Sequence, residues 1–253
     1  MLNYQLDGVG APLLLLHGFG ISFNIWTELS PRLRDHFRLV TVELPGIGRS
    51  PLPPPAQLYL AAAVDALDSL RGSLGLPRWS VLGYSSGTRV EEAYLQAHAE
   101  RVERAVFLCP AQTSSAKARG LRVASMVDRR FPRLGNWILS GARLRFLIHL
   151  LGFNLRRAPA VDAWHAEIAS QPVDILKATL RSMPDGGARP IAIPNQIPAL
   201  FIWGREDLVT ATPRQPSARD VIIHATHAAP QTSAREVADA VIPFLIANPE
   251  GMK

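Results

Sequence analysis

With 253 residues, 47% of them hydrophobic, the chain can bury one large core, and its length suits a single α/β domain carrying an insertion. One cysteine excludes an internal disulfide framework and favours a reducing compartment, while the net charge of +6 leaves an anionic partner open. The N-terminal residues lack a secretory-signal pattern, and no apolar run approaches the roughly 20 residues of a membrane-spanning helix; the expectation is a cytoplasmic protein without a transmembrane segment.

Short apolar runs alternate with helical patterns, the signature of a mostly parallel, doubly wound α/β sheet covered on both faces. Residues 13–16 are continuously apolar and open into His17-Gly18-Phe19-Gly20, a buried strand followed by a loop. Residues 39–44 form the next strand, which ends in Glu43-Leu44-Pro45-Gly46-Ile47-Gly48-Arg49-Ser50. The glycines imitate a dinucleotide fingerprint, but the third is missing and Pro51, Pro53, Pro54 and Pro55 forbid a helix directly afterwards, so cofactor binding is rejected. Leu60, Val64, Leu67 and Leu74 then recur at helical spacing until Gly75 and Pro77 stop the helix.

The strand beginning Trp79-Ser80-Val81-Leu82 runs into Gly83-Tyr84-Ser85-Ser86-Gly87 and a helix from near Thr88. Strand, sharp turn and helix in that order force Ser85 into a strained conformation, and Gly83 and Gly87 are needed where the two elements nearly touch. The strain lifts the hydroxyl clear of the sheet, and the Ser86 amide faces any oxyanion formed there. Alone, the pentapeptide is a weak signal that also describes a turn with a solvated serine.

Residues 102–108 supply another strand, and Cys109 after it reads as a buried, inert thiol. The stretch 111–194 differs in character: helical in pattern, with apolar faces from Trp137, Ile138, Leu139, Leu144, Phe146, Leu147, Ile148, Leu150, Leu151 and Phe153. It holds 13 Lys plus Arg against 5 Asp plus Glu, a net of +8, whereas the remainder holds 14 against 16, a net of −2. The reading is a helical lid, 111–194, inserted into a sheet unit made of 1–110 and 195–253. Residues 199–203 and 221–223 are the last strands; one delivers Glu206 and Asp207, the other His224 and His227. Parallel strands present these loops and the Ser85 turn on one edge, where a serine finds a base and the base finds a carboxylate.

Together these motifs resemble the α/β-hydrolase superfamily in its lid-bearing, esterase-like branch, over most of the chain outside 111–194. His17-Gly18-Phe19-Gly20 is similar to the family's oxyanion loop, Gly83 to Gly87 to its nucleophile elbow, Gly204-Arg205-Glu206-Asp207 to its acid loop, and His227 with Pro230 and Glu236 to its histidine loop and last helix. The resemblance implies Ser85 as nucleophile, His227 as base and Asp207 as acid, with the Phe19 and Ser86 amides forming the oxyanion hole. It makes His17 a brace of the oxyanion turn. Glu43, Thr88 and Thr226 depart from the family pattern, and the region before Leu13 is short for its opening strands. Glu206 is the rival acid and His224 the rival base; Ser233 to Glu236, a capping box opening the last helix, favours His227.

The resemblance implies a serine hydrolase that cleaves a small hydrophobic carboxylic ester through an acyl-enzyme; no metal or organic cofactor is implied, because the histidines lack a ligand-type cluster and Cys109 stands alone. A thioester or carbon–carbon hydrolase, and a ligand receptor of the same fold with little turnover, remain as alternatives. Arg119, Arg122, Arg129, Arg130, Arg133, Arg143, Arg145, Arg156 and Arg157 outnumber the local acids. They form either a solvated face or a surface for an anionic partner: an acyl carrier protein, an anionic membrane surface or an acidic ester. No basic recognition motif or stacking module accompanies them, which argues against nucleic acid.

Overall fold

A computed structural model of the chain describes residues 1–139, 143, 160–183, 188–213 and 215–247. Seven strands form one sheet in the order β1-β3-β2-β4-β5-β6-β7: β1 (Tyr4–Asp7), β2 (Ala11–Leu16), β3 (Phe37–Val42), β4 (Trp79–Tyr84), β5 (Val102–Leu108), β6 (Ala199–Gly204) and β7 (Asp220–Ile223). β1 runs antiparallel to β3, and all other pairings are parallel. The apolar runs in the sequence are therefore the buried parallel strands. β1 has no counterpart among those runs, because it is an edge strand whose residues are mostly exposed.

Alternate side chains serve the two faces, as the period of a strand requires. Leu13, Leu15, Leu82, Val106, Leu108 and Ile202 join Leu33 of α1 (Ser30–Leu33) and two valines of the C-terminal helix, Val237 and Val241, in one core. Leu14, Leu16, Val81, Phe107 and Ala199 join Ala63 and Leu67 of α2 (Tyr59–Ser73) and Val90 and Tyr94 of α3 (Gly87–Ala97) in the other. Each fully buried leucine contributes roughly 1.5–3 kcal/mol relative to exposure, so β2 alone is a major determinant of the fold.

The strand expected to reach residue 44 ends at Val42. There the chain turns: the Leu44 amide donates to His17 Nε2 at 2.9 Å, and Glu43 Oε2 accepts from Asn3 Nδ2 and the Arg49 amide, each at 2.7 Å. Glu43 thus holds the 43–50 turn closed.

Between β5 and β6 the described residues carry α4 (Ser115–Arg130), α5 (Pro132–Ile138), α6 (Ala160–Ser170) and α7 (Val173–Arg181), and no strand. Trp164 and Ile168 of α6 and Leu176 of α7 join the first core. Leu139 packs partly buried against it, whereas Trp137 is 55% exposed, its ring beneath Arg143. Leu144, Phe146, Leu147, Ile148, Leu150, Leu151, Phe153, Arg145, Arg156 and Arg157 lie outside the described residues. Beyond β7 come α8 (Ala229–Thr232) and α9 (Ala234–Ile246). The capping box expected at α9 does not form. Ser233 Oγ turns instead to the His224 carbonyl and Glu236 accepts the His224 amide at 3.0 Å, so tertiary partners displace the local pattern. Among the described residues no helix is long and apolar enough to cross a membrane.

Two glycines make opposite predictions. A Cβ on Gly87 would press into the backbone oxygens of Leu16 and His17, whereas one on Gly120, inside α4, meets nothing within 4 Å. Gly87→Ala is expected to destabilise by about 1–3 kcal/mol, and Gly120→Ala to stabilise by roughly 0.5–1 kcal/mol; chemical denaturation midpoints of the two variants check the contrast.

Candidate active site

The order of strands reverses beside β2, with β3 on one side and β4 on the other. At such a switch point the loops leave the carboxyl edge in opposite directions and open a crevice. Ser85 stands there, at the end of β4 and just before α3, with a left-handed φ of 51°. Its amide donates to the Leu108 carbonyl at 3.0 Å, and its own carbonyl accepts from the Thr88 amide at 3.0 Å and the Thr88 hydroxyl at 2.5 Å. Thr88 Oγ1 also accepts the Ala111 amide at 3.0 Å, so the threonine that replaces the expected glycine ties the elbow to the end of the neighbouring strand. Gly83 donates its amide to Glu91 Oε2 at 3.0 Å beneath the turn. Burial pushes the Glu91 carboxyl well above its usual range, against the opposing pull of that bond.

The loops after β6 and β7 bring Asp207 and His227 to the same edge. Ser85 Oγ lies 2.9 Å from His227 Nε2, and His227 Nδ1 lies 2.8 Å from Asp207 Oδ2. His227 and Asp207 are both buried, at 1% and 7% exposure. Asp207 also accepts from the Val209 amide at 2.7 Å, the Thr210 amide at 3.1 Å and the Thr210 hydroxyl at 2.7 Å. Burial would raise its carboxyl, but the His227 ring and the Thr210 donors hold it far below the usual carboxylate range. An anion so held fixes a donating Nδ1–H on His227 and leaves Nε2 to accept the serine proton. The rivals also meet, but elsewhere: Glu206 Oε1 lies 3.2 Å from His224 Nδ1 in an exposed pair.

Tyr84 and Thr210 were not singled out from the sequence. The Tyr84 hydroxyl donates to the His227 carbonyl at 2.7 Å, so the strand residue before the serine holds the backbone of the histidine loop. Thr210 had a signal in Asp207-Leu208-Val209-Thr210, where an aspartate caps the amides two and three residues on.

Phe19 and Ser86 flank the crevice, and among the described residues neither amide donates a hydrogen bond. Gly18 packs against Ser85, since a Cβ there would lie 3.2 Å from Ser85 Cβ. His17 braces this loop: its ring bonds the Gly18 carbonyl through Nδ1 at 2.8 Å and accepts the Leu44 amide through Nε2. Burial brings its pKa down to about 4, against the Gly18 bond and the Glu43 charge, which raise it. The ring is therefore neutral near pH 7.

Cys109 does not stand alone. Its sulfur, an Asp207 oxygen and a His227 nitrogen lie within 4.8 Å of one another. Burial, and next the Asp207 charge, push the thiol well above its ordinary value. Four donors already fill the Asp207 oxygens, an arrangement suited to orienting an imidazole rather than to coordinating a metal.

The family described as alpha/beta hydrolase fold matches residues 11–217. A pimeloyl-[acyl-carrier protein] methyl ester esterase of Vibrio vulnificus is 33% identical over 72% of this chain and 65% of its own length. One from Aeromonas hydrophila subsp. hydrophila is 26% identical over 90% of this chain and 92% of its own. Among solved structures, a variant of an epoxide hydrolase from Bacillus megaterium superposes with a TM-score of 0.74 at 19% identity, over 97% of each chain.

The buried neutral His17 makes a pH prediction. The folded protein protonates it near pH 4 and the unfolded chain near 6.5. Between those values the unfolded state binds the extra proton, so stability falls as pH drops through the window, by about 3 kcal/mol at its lower end. Urea unfolding at pH 7 and pH 4.5 should show a smaller acid loss for His17→Asn than for the wild type.

Proposed function

We propose that the chain, which belongs to the α/β-hydrolase fold family and is a carboxylic ester hydrolase, works through an acyl-enzyme formed on Ser85. The observation that carries this reading is the buried chain from Ser85 Oγ through His227 to Asp207, with links of 2.9 and 2.8 Å. As Ser85 Oγ attacks the ester carbonyl carbon, its proton passes to His227 Nε2. The resulting oxyanion turns toward the Phe19 and Ser86 amides, and donors set in place before reaction need no reorganisation. Collapse breaks the bond to the leaving alcohol, which takes the proton from His227, and the acyl group remains on Ser85. Water then gives a proton to His227 and attacks the acyl carbon. A second collapse releases the acid and returns the proton to Ser85. Throughout, Asp207 stays ionised and stabilises the imidazolium.

Thioester and carbon–carbon hydrolases use the same three groups; the names of the curated relatives favour an oxygen ester. They also support an acyl group delivered on an acyl carrier protein as the substrate. Residues 111–194 form the lid in this reading, over a sheet unit of 1–110 and 195–253. Arg119, Arg122, Arg129, Arg130 and Arg133 are exposed, and among the described residues none pairs with a carboxylate. Exposed Val123 and Met126 lie on α4, exposed Trp137 on α5, and exposed Phe131 at the junction between the two. A surface that is both basic and apolar suits an acidic carrier.

Ser85→Ala should lower kcat for short p-nitrophenyl esters by about 10⁴-fold or more with the fold intact. Asp207→Asn and His227→Ala should also slow the reaction strongly, whereas Glu206→Gln and His224→Ala should leave it near wild type; a reversed pattern in the same assay moves the roles to the exposed pair.

Steering by charge weakens as the Debye length falls from about 30 Å at 0.01 M to about 10 Å at 0.1 M salt. Accordingly kcat/KM for a carrier-bound ester should fall with ionic strength while that for a small neutral ester does not. Reversing Arg129, Arg130 and Arg133 to glutamate should abolish the salt dependence and spare the small ester. Identical salt responses for both substrates would make the basic face merely solvated surface.

A further inference from the structure

The loop after β2 is pinned at both ends, and the two pins come from different parts of the chain. At its start the neutral His17 ring spans the Gly18 carbonyl and the Leu44 amide, both within the sheet unit. At its end Ser22 donates its amide at 2.9 Å and its hydroxyl at 2.6 Å to a single oxygen, Glu167 Oε1. Glu167 lies on α6, 145 residues away in the chain. Between the pins, Gly20 takes a left-handed φ of 63°, and a Cβ there would strike Ile168 of α6 and Leu176 of α7. Gln171, four residues after Glu167, accepts the Gly48 amide at 2.9 Å and donates to the Glu167 carbonyl at 3.1 Å. Residues 167–176 therefore reach the loops after both β2 and β3.

Glu167 Oε2 is buried and has no hydrogen-bond partner among the described residues. A side chain present only to pack a helix would have no reason to carry an uncompensated carboxylate oxygen. Its partner oxygen accounts for it, since it alone takes both Ser22 donors. Ser22 is three residues from Phe19, in a loop already in contact with Ser85.

We infer that Glu167 is a positioning residue for the oxyanion hole: by holding Ser22 it sets the course of residues 17–22 and hence the aim of the Phe19 amide. The inference rests on the proposed roles of Ser85 and Phe19. It makes the seating of α6 a requirement of the chemical step for every substrate, small esters included. Donors stabilise an oxyanion only when already aimed, and a misplacement of about 1 Å can cost about 10²-fold.

The test is steady-state kinetics on one short p-nitrophenyl ester, comparing wild type with Ser85→Ala, Glu167→Ala, Glu167→Gln and Ser22→Ala. Glu167→Ala should lower kcat by about 10- to 100-fold while KM stays within about two-fold. Glu167→Gln keeps an oxygen that accepts both Ser22 donors and should retain most of kcat. Ser22→Ala loses only the hydroxyl and should fall between them. If Glu167→Ala loses its folded circular dichroism signal, the other two variants decide: reduced kcat in Ser22→Ala with a near-normal Glu167→Gln supports the role, and wild-type kcat in Ser22→Ala overturns it. A raised KM with unchanged kcat in Glu167→Ala also overturns it, by moving the residue to substrate binding. Should Ser85→Ala match wild-type turnover, the nucleophile assignment fails; should it abolish turnover while Glu167→Ala retains wild-type kcat, only the positioning role fails.

Discussion

A serine held in the left-handed region of backbone space is the constraint around which the carboxyl edge of the sheet is built. A non-glycine residue at φ 51° costs of order 1–3 kcal/mol and persists only where its surroundings over-determine it. Here they do. The Ser85 amide is bonded to Leu108 of the next strand, its carbonyl is bonded twice by Thr88, and Gly87 lets α3 lie directly on the backbone of residues 16 and 17. Restoring an ordinary φ would break these bonds or push α3 off the sheet.

With the serine fixed, the remaining groups need only be brought to it, and each is held by something rigid. Tyr84 occupies the strand position next to Ser85 and grips the His227 carbonyl, so the histidine loop is referenced to β4 rather than left to wander on β7. Asp207 is held by its own turn through Val209 and Thr210, which leaves one oxygen to share with His227. His17 braces the loop on the other side of the crevice. The electrostatics follow from burial: Asp207 remains an anion because donors surround it, while Glu91, His17 and Cys109 are kept neutral for want of water. One buried negative charge is thus left beside the imidazole that becomes positive in the proposed mechanism.

How much of this was legible in the sequence depended on the range of the interaction. Six parallel strands were readable because each carries a continuous apolar run; β1, mostly exposed, offered no such run. The serine, acid and histidine loops were readable because each follows such a strand, and the structure brings Ser85, Asp207 and His227 together while leaving Glu206 and His224 as an exposed pair. Local patterns failed where a distant group outcompeted them, as at Ser233, whose hydroxyl prefers His224 to the helix it precedes. The contact between Ser22 and Glu167 left no sequence trace, since neither residue belongs to a motif and 145 positions separate them. Thr210 was within reach, because an aspartate followed three residues later by threonine is a local capping pattern.

If ester cleavage passes through a covalent bond to the strained serine, that bond can be caught and located. Wild-type protein mixed with an excess of a p-nitrophenyl ester, quenched in acid within the first turnover and analysed by peptide mass spectrometry, should carry the acyl group on the peptide containing Ser85. The adduct should build up with the burst of p-nitrophenol and be absent from the Ser85→Ala protein. Turnover without any adduct in a burst-competent preparation, or an acyl group found on another residue such as Cys109, would rule out an acyl-enzyme on Ser85.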